Sequence, residues 1–355
     1  MVAKAVEQYS NESMKKALDA TEEGAILSGD GRYPIRRNSS HCTFDIINTQ
    51  SNKVIALRVA DKKSINHPNE TFTSTSNMLE TEAMNRALQK IRPIKEKVSG
   101  FIIDGDNKNR GLLEDQNYQV IRDPNHLVLS FNKYLDKELM KYKKMIPGIP
   151  DCFRNLRTKI KKWYSNLVFM NLNTDIKKTA WLNTIEHLKG NHNDCLIHKY
   201  TAFVWDIGIQ YDEATKTLFA ILDKRTNDFD LTFRNATTNF NESFHREQLK
   251  FGSKNIVFPK SQIIRDQLSV LHHNEGPQFA LELREMLELP KLDQENEIKL
   301  KRNHNIRQDM LEKRKSFEYR QKEKTYRREK KAKNKKNKKG DYRSSSDSDT
   351  YSDSY

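Results

Sequence analysis

The apolar positions change period along the chain in an order that predicts strands first and helices later. Residues 24–29 (GAILSG), 40–48 (SHCTFDIIN) and 53–60 (KVIALRVA) are short, rich in Ile and Val and bounded by turn residues. Segments of this kind predict three consecutive strands, and their short links predict an antiparallel meander. Over residues 78–91 the apolar side chains Leu79, Ala83, Met84, Ala87, Leu88 and Ile91 recur at helical spacing behind a Ser/Thr-rich stretch, which predicts a helix with one buried face. GFIID at 100–104 then reads as a buried strand, 110–116 as a short helix and YQVIR at 118–122 as another strand. Asp123-Pro124 supplies an N-cap followed by proline at the first helical position. It opens a helix to about Lys143 whose stripe is Leu127, Phe131, Leu135 and Leu139.

The resulting order, βββαβαβα, is one solution to burying a single mixed sheet: a three-stranded meander extended by parallel strands through right-handed crossovers. This is the connectivity of the RNase H-like fold. Beyond residue 143 the texture turns helical, basic and aromatic, with candidates at 151–166, 178–188, 194–205 and 213–223 that contain all three tryptophans. They predict an all-α insertion. Further helices are expected at 241–249 and within 256–273. The expected fold class is therefore α/β, an RNase H-like mixed sheet with an all-α insertion and a basic tail. The boundaries expected are a leader at 1–21, the first part of the sheet domain at 22–145, the insertion at 146–235 and the closing helices at 236–290. A basic tail at 291–340 and an acidic serine-rich end at 341–355 complete the chain.

Charge sharpens this division. The 355 residues carry a formal charge of +15, yet residues 291–340 hold 20 Lys+Arg against 8 Asp+Glu, and residues 341–355 one Arg against four Asp. The stretch from 313 to 339 has almost no aliphatic residues, so it reads as a solvated helix or a disordered segment. Within it, Lys330, Lys331, Lys333, Lys335, Lys336, Lys338 and Lys339 form a basic run suited to nucleic-acid phosphates or to nuclear import. The serines at 344–346 and 348 are candidate kinase targets. The longest apolar run, residues 218–222, is far short of the roughly 20 residues of a spanning helix, and residues 1–23 have no signal-peptide stretch. A soluble, non-secreted protein with no membrane partner is expected. Three scattered cysteines give no disulfide framework.

Two carboxylates stand out. In the expected topology strands 1 and 4 lie side by side, so Asp30, expected to close strand 1, and Asp104, expected to close strand 4, converge. Hard oxygen ligands at adjacent strand ends are what a two-metal phosphoryl-transfer site requires, with ions about 3.5 to 4 Å apart. Asp106 is the alternative to Asp104, with helix capping as its simpler role. Asp-Gly pairs also occur in ordinary turns. Cys195 and His198 form a C-x-x-H pair near His187 and His192. Zinc is not expected there, because a tetrahedral site needs four ligands and no second pair of matching spacing is present.

In this order the motifs resemble the catalytic part of DDE-type cut-and-paste DNA transposases, nearest in pattern to the Mutator-like and hAT-like superfamilies. The resemblance rests on SGDGRY at 28–33, FIIDGDNKNR at 101–110, RDPNH at 122–126, DCLIH at 194–198 and NESFHREQLKFGSKNIVF at 241–258. It covers residues 22–275. It implies a triad of Asp30, Asp104 and Glu242 holding two Mg²⁺ or Mn²⁺ ions, with the 138-residue gap between Asp104 and Glu242 filled by the insertion. It also implies supporting roles for Asp123, His126 and His245, and for Cys195 and His198 within the insertion. DNA as partner, a nuclear location and a homodimer are further implications. Such enzymes usually carry an N-terminal DNA-binding module, and the short stretch before strand 1 gives the expectation of a truncated or domesticated copy. The alternatives on the same fold are a non-catalytic nuclear DNA-binding protein and a nuclease acting on RNA.

Overall fold

The computed structural model describes residues 1–34, 39–62, 72–73, 75, 78–104, 107–145, 152–170, 172–188, 220–231, 237–253, 258, 261–316, 318–319, 321–323, 325–326 and 329–330. Five strands form one mixed sheet: β1 (Ala25–Arg32), β2 (His41–Asn48), β3 (Lys53–Asp61), β4 (Val98–Ile103) and β5 (Val120–Arg122). Their spatial order is β3-β2-β1-β4-β5. The meander β1–β2–β3 is antiparallel, while β4 joins β1 and β5 joins β4 in parallel.

Each face of the sheet has its own cover, and the alternation along the strands decides which side chain meets which. On one face, Leu27, Phe44, Ile46, Ala56 and Phe101 pack under α2 (Leu79–Ile91), whose Ala83, Met84, Ala87 and Leu88 are all buried. On the other, Ile47, Val54 and Leu57 meet Met14 of α1 (Val2–Asp19) together with Phe244 and Val270 from two helices near the end of the first unit. Residues 2–19 were expected to be a leader and are instead a helix that buries Val6, Tyr9 and Met14. Two serines, Ser10 and Ser13, lie among its buried residues, which blurs the apolar stripe that would otherwise signal a helix.

After β4 come α3 (Asn107–Asp115), β5 and α4 (Pro124–Met145). The stripe of α4, assigned by sequence to the sheet domain, packs into a separate helical cluster with α5 (Cys152–Phe169) and α6 (Thr174–Leu188). Phe131 stacks on Tyr164 with ring centroids 3.9 Å apart, and Trp181 sets its edge against both. The indole nitrogens find buried acceptors, Trp163 on Thr184 and Trp181 on the Leu222 carbonyl, each at 2.9 Å. The helices expected at 194–205 and most of 213–223 lie outside the described residues. The first unit closes with α7 (Asn239–Gln248) and α8 (Gln262–Asn274). On the edge strand, Asn274 accepts from the Val54 N–H and donates to its carbonyl, each at 2.9 Å.

A second unit begins at Glu275, and its described residues include α9 (Phe279–Met286) and α10 (Gln294–Lys315). The N-cap of α10 is Asp293, which accepts from the Asn296 N–H at 2.8 Å. Ile298 and Ile306 are exposed, and none of the described residues of this helix is fully buried, in keeping with its charge-rich sequence. Among the described residues no helix is long and apolar enough to cross a membrane.

Candidate active site

The SGDG segment is strand, not turn. β1 was expected to stop at Asp30 but runs on to Arg32, pairing Asp30 with Asp45, Gly31 with Phe44 and Arg32 with Thr43. The glycines explain why the segment imitates a turn. A Cβ on Gly29 would come within 2.8 Å of the Phe101 and Phe44 rings, and one on Gly31 would strike Glu80 of α2. Glycine is needed on that face for close approach, while Ser28 and Asp30 alternate to the opposite face. The Arg32 guanidinium anchors the extended end, 3.4 Å from the buried carboxylate of Asp266 on α8.

Asp30 occupies the floor of a cleft of about 500 Å³ lined also by Gly31, Arg32, Tyr33, Glu242, His245, Arg246 and Leu249. Its Oδ1 accepts from the Gly31 N–H at 2.8 Å, and its Oδ2 lies 3.6 Å from His245 Nδ1. Burial, and then the charges of Asp45, Asp104 and Glu80, push its carboxyl up to about 7 against a downward pull from His245. Asp104 follows β4 directly. Ser28 stands beside Ile102 in the parallel register, so Asp104 leaves the sheet from the strand next to Asp30, near enough for its charge to act on that carboxyl. Asp106 lies outside the described residues.

The helix α7 carries the opposite wall. Asn241 is fully buried: its side-chain amide donates to the Ser28 carbonyl at 3.2 Å and to Asp45 Oδ2 at 2.7 Å, and its Oδ1 accepts from the Ser28 hydroxyl. One turn on, His245 Nε2 meets Asp45 Oδ1 at 2.7 Å. Burial alone would lower the His245 pKa, but Asp45 and then Asp30 outweigh it and hold the value above the ordinary one. Glu242 projects from the same helix into the cleft, its side chain 47% exposed and 3.7 Å from Arg246.

A second connection sets the start of α7. Asp123, at the end of β5, is buried. Its Oδ1 accepts from the N–H groups of Asn125 and His126 at the start of α4, at 2.6 and 3.3 Å. Its Oδ2 accepts both the N–H and the hydroxyl of Thr238, the N-cap of α7, at 2.7 Å each. The residue predicted as an N-cap thus also ties together the two ends of the helical insertion, 115 positions apart. His126 is half-buried on the first turn of α4. Cys195, His198 and His192 lie outside the described residues, as do Lys331, Lys333, Lys335, Lys336, Lys338 and Lys339. Lys330 is exposed.

The oxygen donors of Asp30, Asp104 and Glu242 suit a hard divalent cation. Among the described residues, however, no three His, Cys, Asp or Glu side chains stand close enough together to hold one as they are placed. The structure brings Asp30 and Glu242 to one cleft and Asp104 to the end of the neighbouring strand, and Glu242 would have to turn from Arg246 to complete a set. Sequence reasoning missed Asp45 and Asn241. The available signal was a carboxylate inside a strand rich in apolar residues on both sides.

A family model described as Mutator-like transposase matches residues 1–201. The chain belongs to the Mutator-like transposase family. The matched stretch contains the whole five-stranded sheet with Asp30, Asp45, Asp104 and Asp123, together with α1 through α6. Glu242 and His245 lie beyond its end. No curated protein matches the chain significantly.

Proposed function

We propose that this transposase-family chain cleaves and joins DNA phosphodiesters on an RNase H-like sheet, with Asp30, Asp104 and Glu242 as a DDE triad. The observation that carries the reading is the place of Asp30. It lies on the strand adjoining the one that Asp104 follows, within reach of the Asp104 charge, and shares an open cleft with Glu242. The strand order β3-β2-β1-β4-β5 supports the fold assignment. Burial, and after it the neighbouring carboxylates Asp45, Asp104 and Glu80, raise the Asp30 pKa to about 7; the carboxylate crowding supports cation binding, because a divalent ion would relieve that part of the repulsion.

Asp30 and Asp104 would hold Mg²⁺ or Mn²⁺ from the sheet and Glu242 from α7. The chemistry such ions would supply there is polarisation of the scissile phosphate and a lowered pKa for the attacking water or 3′-hydroxyl. The chain's own part is to fix the carboxylates on two strands and a helix, and to admit the phosphate through the open side of the cleft. Arg246, 79% exposed at the rim, supplies a guanidinium for the DNA backbone. The basic run from 330 to 339 adds sequence-independent affinity and a nuclear address.

The test is nicking of supercoiled DNA by the full chain in Mg²⁺ or Mn²⁺. Asp30→Asn, Asp104→Asn and Glu242→Gln should each lower the rate by roughly 100-fold or more, since even a partner outside the ligand set typically costs 10–100-fold. Equal nicking by wild type and all three variants would overturn the triad, and no nicking by wild type would leave a DNA-binding role alone. A parallel RNA substrate cut in preference to DNA would overturn the choice of substrate.

A further inference from the structure

Asp45 lies in the middle of β2, fully buried, directly across from Asp30 in the β1–β2 register. Directly opposed like charges repel, and a carboxylate removed from water is costly unless paired and hydrogen-bonded. An apolar residue would serve packing better at such a position. What Asp45 does instead is hold His245. Its Oδ1 engages His245 Nε2 at 2.7 Å, and its Oδ2 accepts from Asn241 at 2.7 Å. Asn241 is in turn fastened to Ser28. With Nε2 engaged, the other ring nitrogen faces Asp30 at 3.6 Å, while the Gly31 N–H holds the second Asp30 oxygen at 2.8 Å.

We propose that Asp45 is a positioning residue of the carboxylate site: through His245 it fixes the orientation in which Asp30 meets a divalent cation. The proposal rests on reading Asp30 as a cation ligand. It adds a residue that touches neither cation nor DNA, and assigns α7 a second task beyond carrying Glu242. The imidazole spans two carboxylates that would otherwise face each other, so its placement decides where the Asp30 oxygens point.

The experiment is Mn²⁺ binding to the purified full chain, followed by loss of the free-ion electron paramagnetic resonance signal, with folding of each variant checked by circular dichroism. Asp45→Asn, nearly isosteric, should weaken Mn²⁺ roughly 10-fold, at the lower end of the range for partners outside the ligand set. His245→Ala should weaken it at least as much, and the double variant no further, because the two residues act in series. Asp30→Asn should abolish binding. Unchanged Mn²⁺ affinity in Asp45→Asn, with binding lost in Asp30→Asn, overturns the positioning role and leaves the function standing. Additive losses in the double variant overturn the route through His245. Wild-type affinity in Asp30→Asn, or no Mn²⁺ binding by wild type, overturns the site and the positioning role with it. Independently of how the variants fold, the His245 Nε2–H donated to a buried carboxylate should give a protected, downfield proton resonance in the wild type. Its absence overturns the proposal.

Discussion

Alkali should loosen this fold through one buried histidine. His41 on β2 lies between two carboxylates, its Nδ1 3.4 Å from Asp61 Oδ2 and its Nε2 3.7 Å from Asp266 Oδ2. Thr43 Oγ1 lies 3.2 Å from the same Nε2, and Arg32 stands on the far side of Asp266. Burial on its own would lower the pKa, but the hydrogen bonds and charges of Asp266 and Asp61 outweigh it and raise the value from 6.5 to about 9. A histidine whose folded pKa exceeds its unfolded one stabilises fully below the unfolded value. The contribution fades as pH climbs through the folded value. At about 1.4 kcal/mol per pKa unit, the whole contribution is roughly 3 kcal/mol, of which about 2.5 kcal/mol should vanish between pH 7 and pH 10. The assay is urea unfolding of wild type and His41→Gln at several pH values. The gap between the two should be widest below pH 6.5, still large at pH 7, and close toward pH 10, the difference between the two chains removing the titrating groups they share. Stability curves that stay parallel across this range would show that His41 is neutral in the fold and that its carboxylate neighbours do not govern it.

Two further outcomes follow from the connections around the cleft. Asp123→Ala removes the acceptor of four hydrogen bonds and should destabilise by at least about 1–3 kcal/mol, the cost of leaving a buried donor unpaired. Asp123→Asn, which keeps the Asn125 acceptor but turns an N–H₂ toward Thr238, should retain the fold and lower DNA nicking more than overall stability, read by urea unfolding beside the nicking rate. Deleting residues 313–339 should flatten the dependence of DNA affinity on salt, since each phosphate contact contributes a slope of about −0.9. A filter-binding or fluorescence titration at several salt concentrations that gives the same slope with and without the tail would exclude it as the affinity source.

The features legible in the sequence are those whose cause is local. Strands announced themselves as short Ile/Val runs, and Asp30 and Asp104 were found because each ends an apolar run beside a glycine. The same glycine misled about the strand end: Asp-Gly reads as a turn, whereas here the missing Cβ makes room for Phe101, Phe44 and Glu80 on the α2 face. Helix α1 went unread because Ser10 and Ser13 interrupt its buried stripe. Glu242 could not be told from an ordinary first-turn glutamate, and the resemblance alone singled it out. Contacts made over a long stretch of chain leave almost no local trace. His245 reaches Asp45 across 200 positions and Thr238 reaches Asp123 across 115. Even so, the partner's need is written locally. In SHCTFDIIN, alternation alone would let Asp45 face water, but Phe44 and Ile46 bury against α2 while Ile47 buries against α1, α7 and α8. A strand apolar on both faces has no water to offer a carboxylate, so an Asp in its middle must have a polar partner brought from elsewhere in the chain. Here that partner comes from the helix carrying Glu242, and the buried Asp is therefore a pointer to the site from within the core.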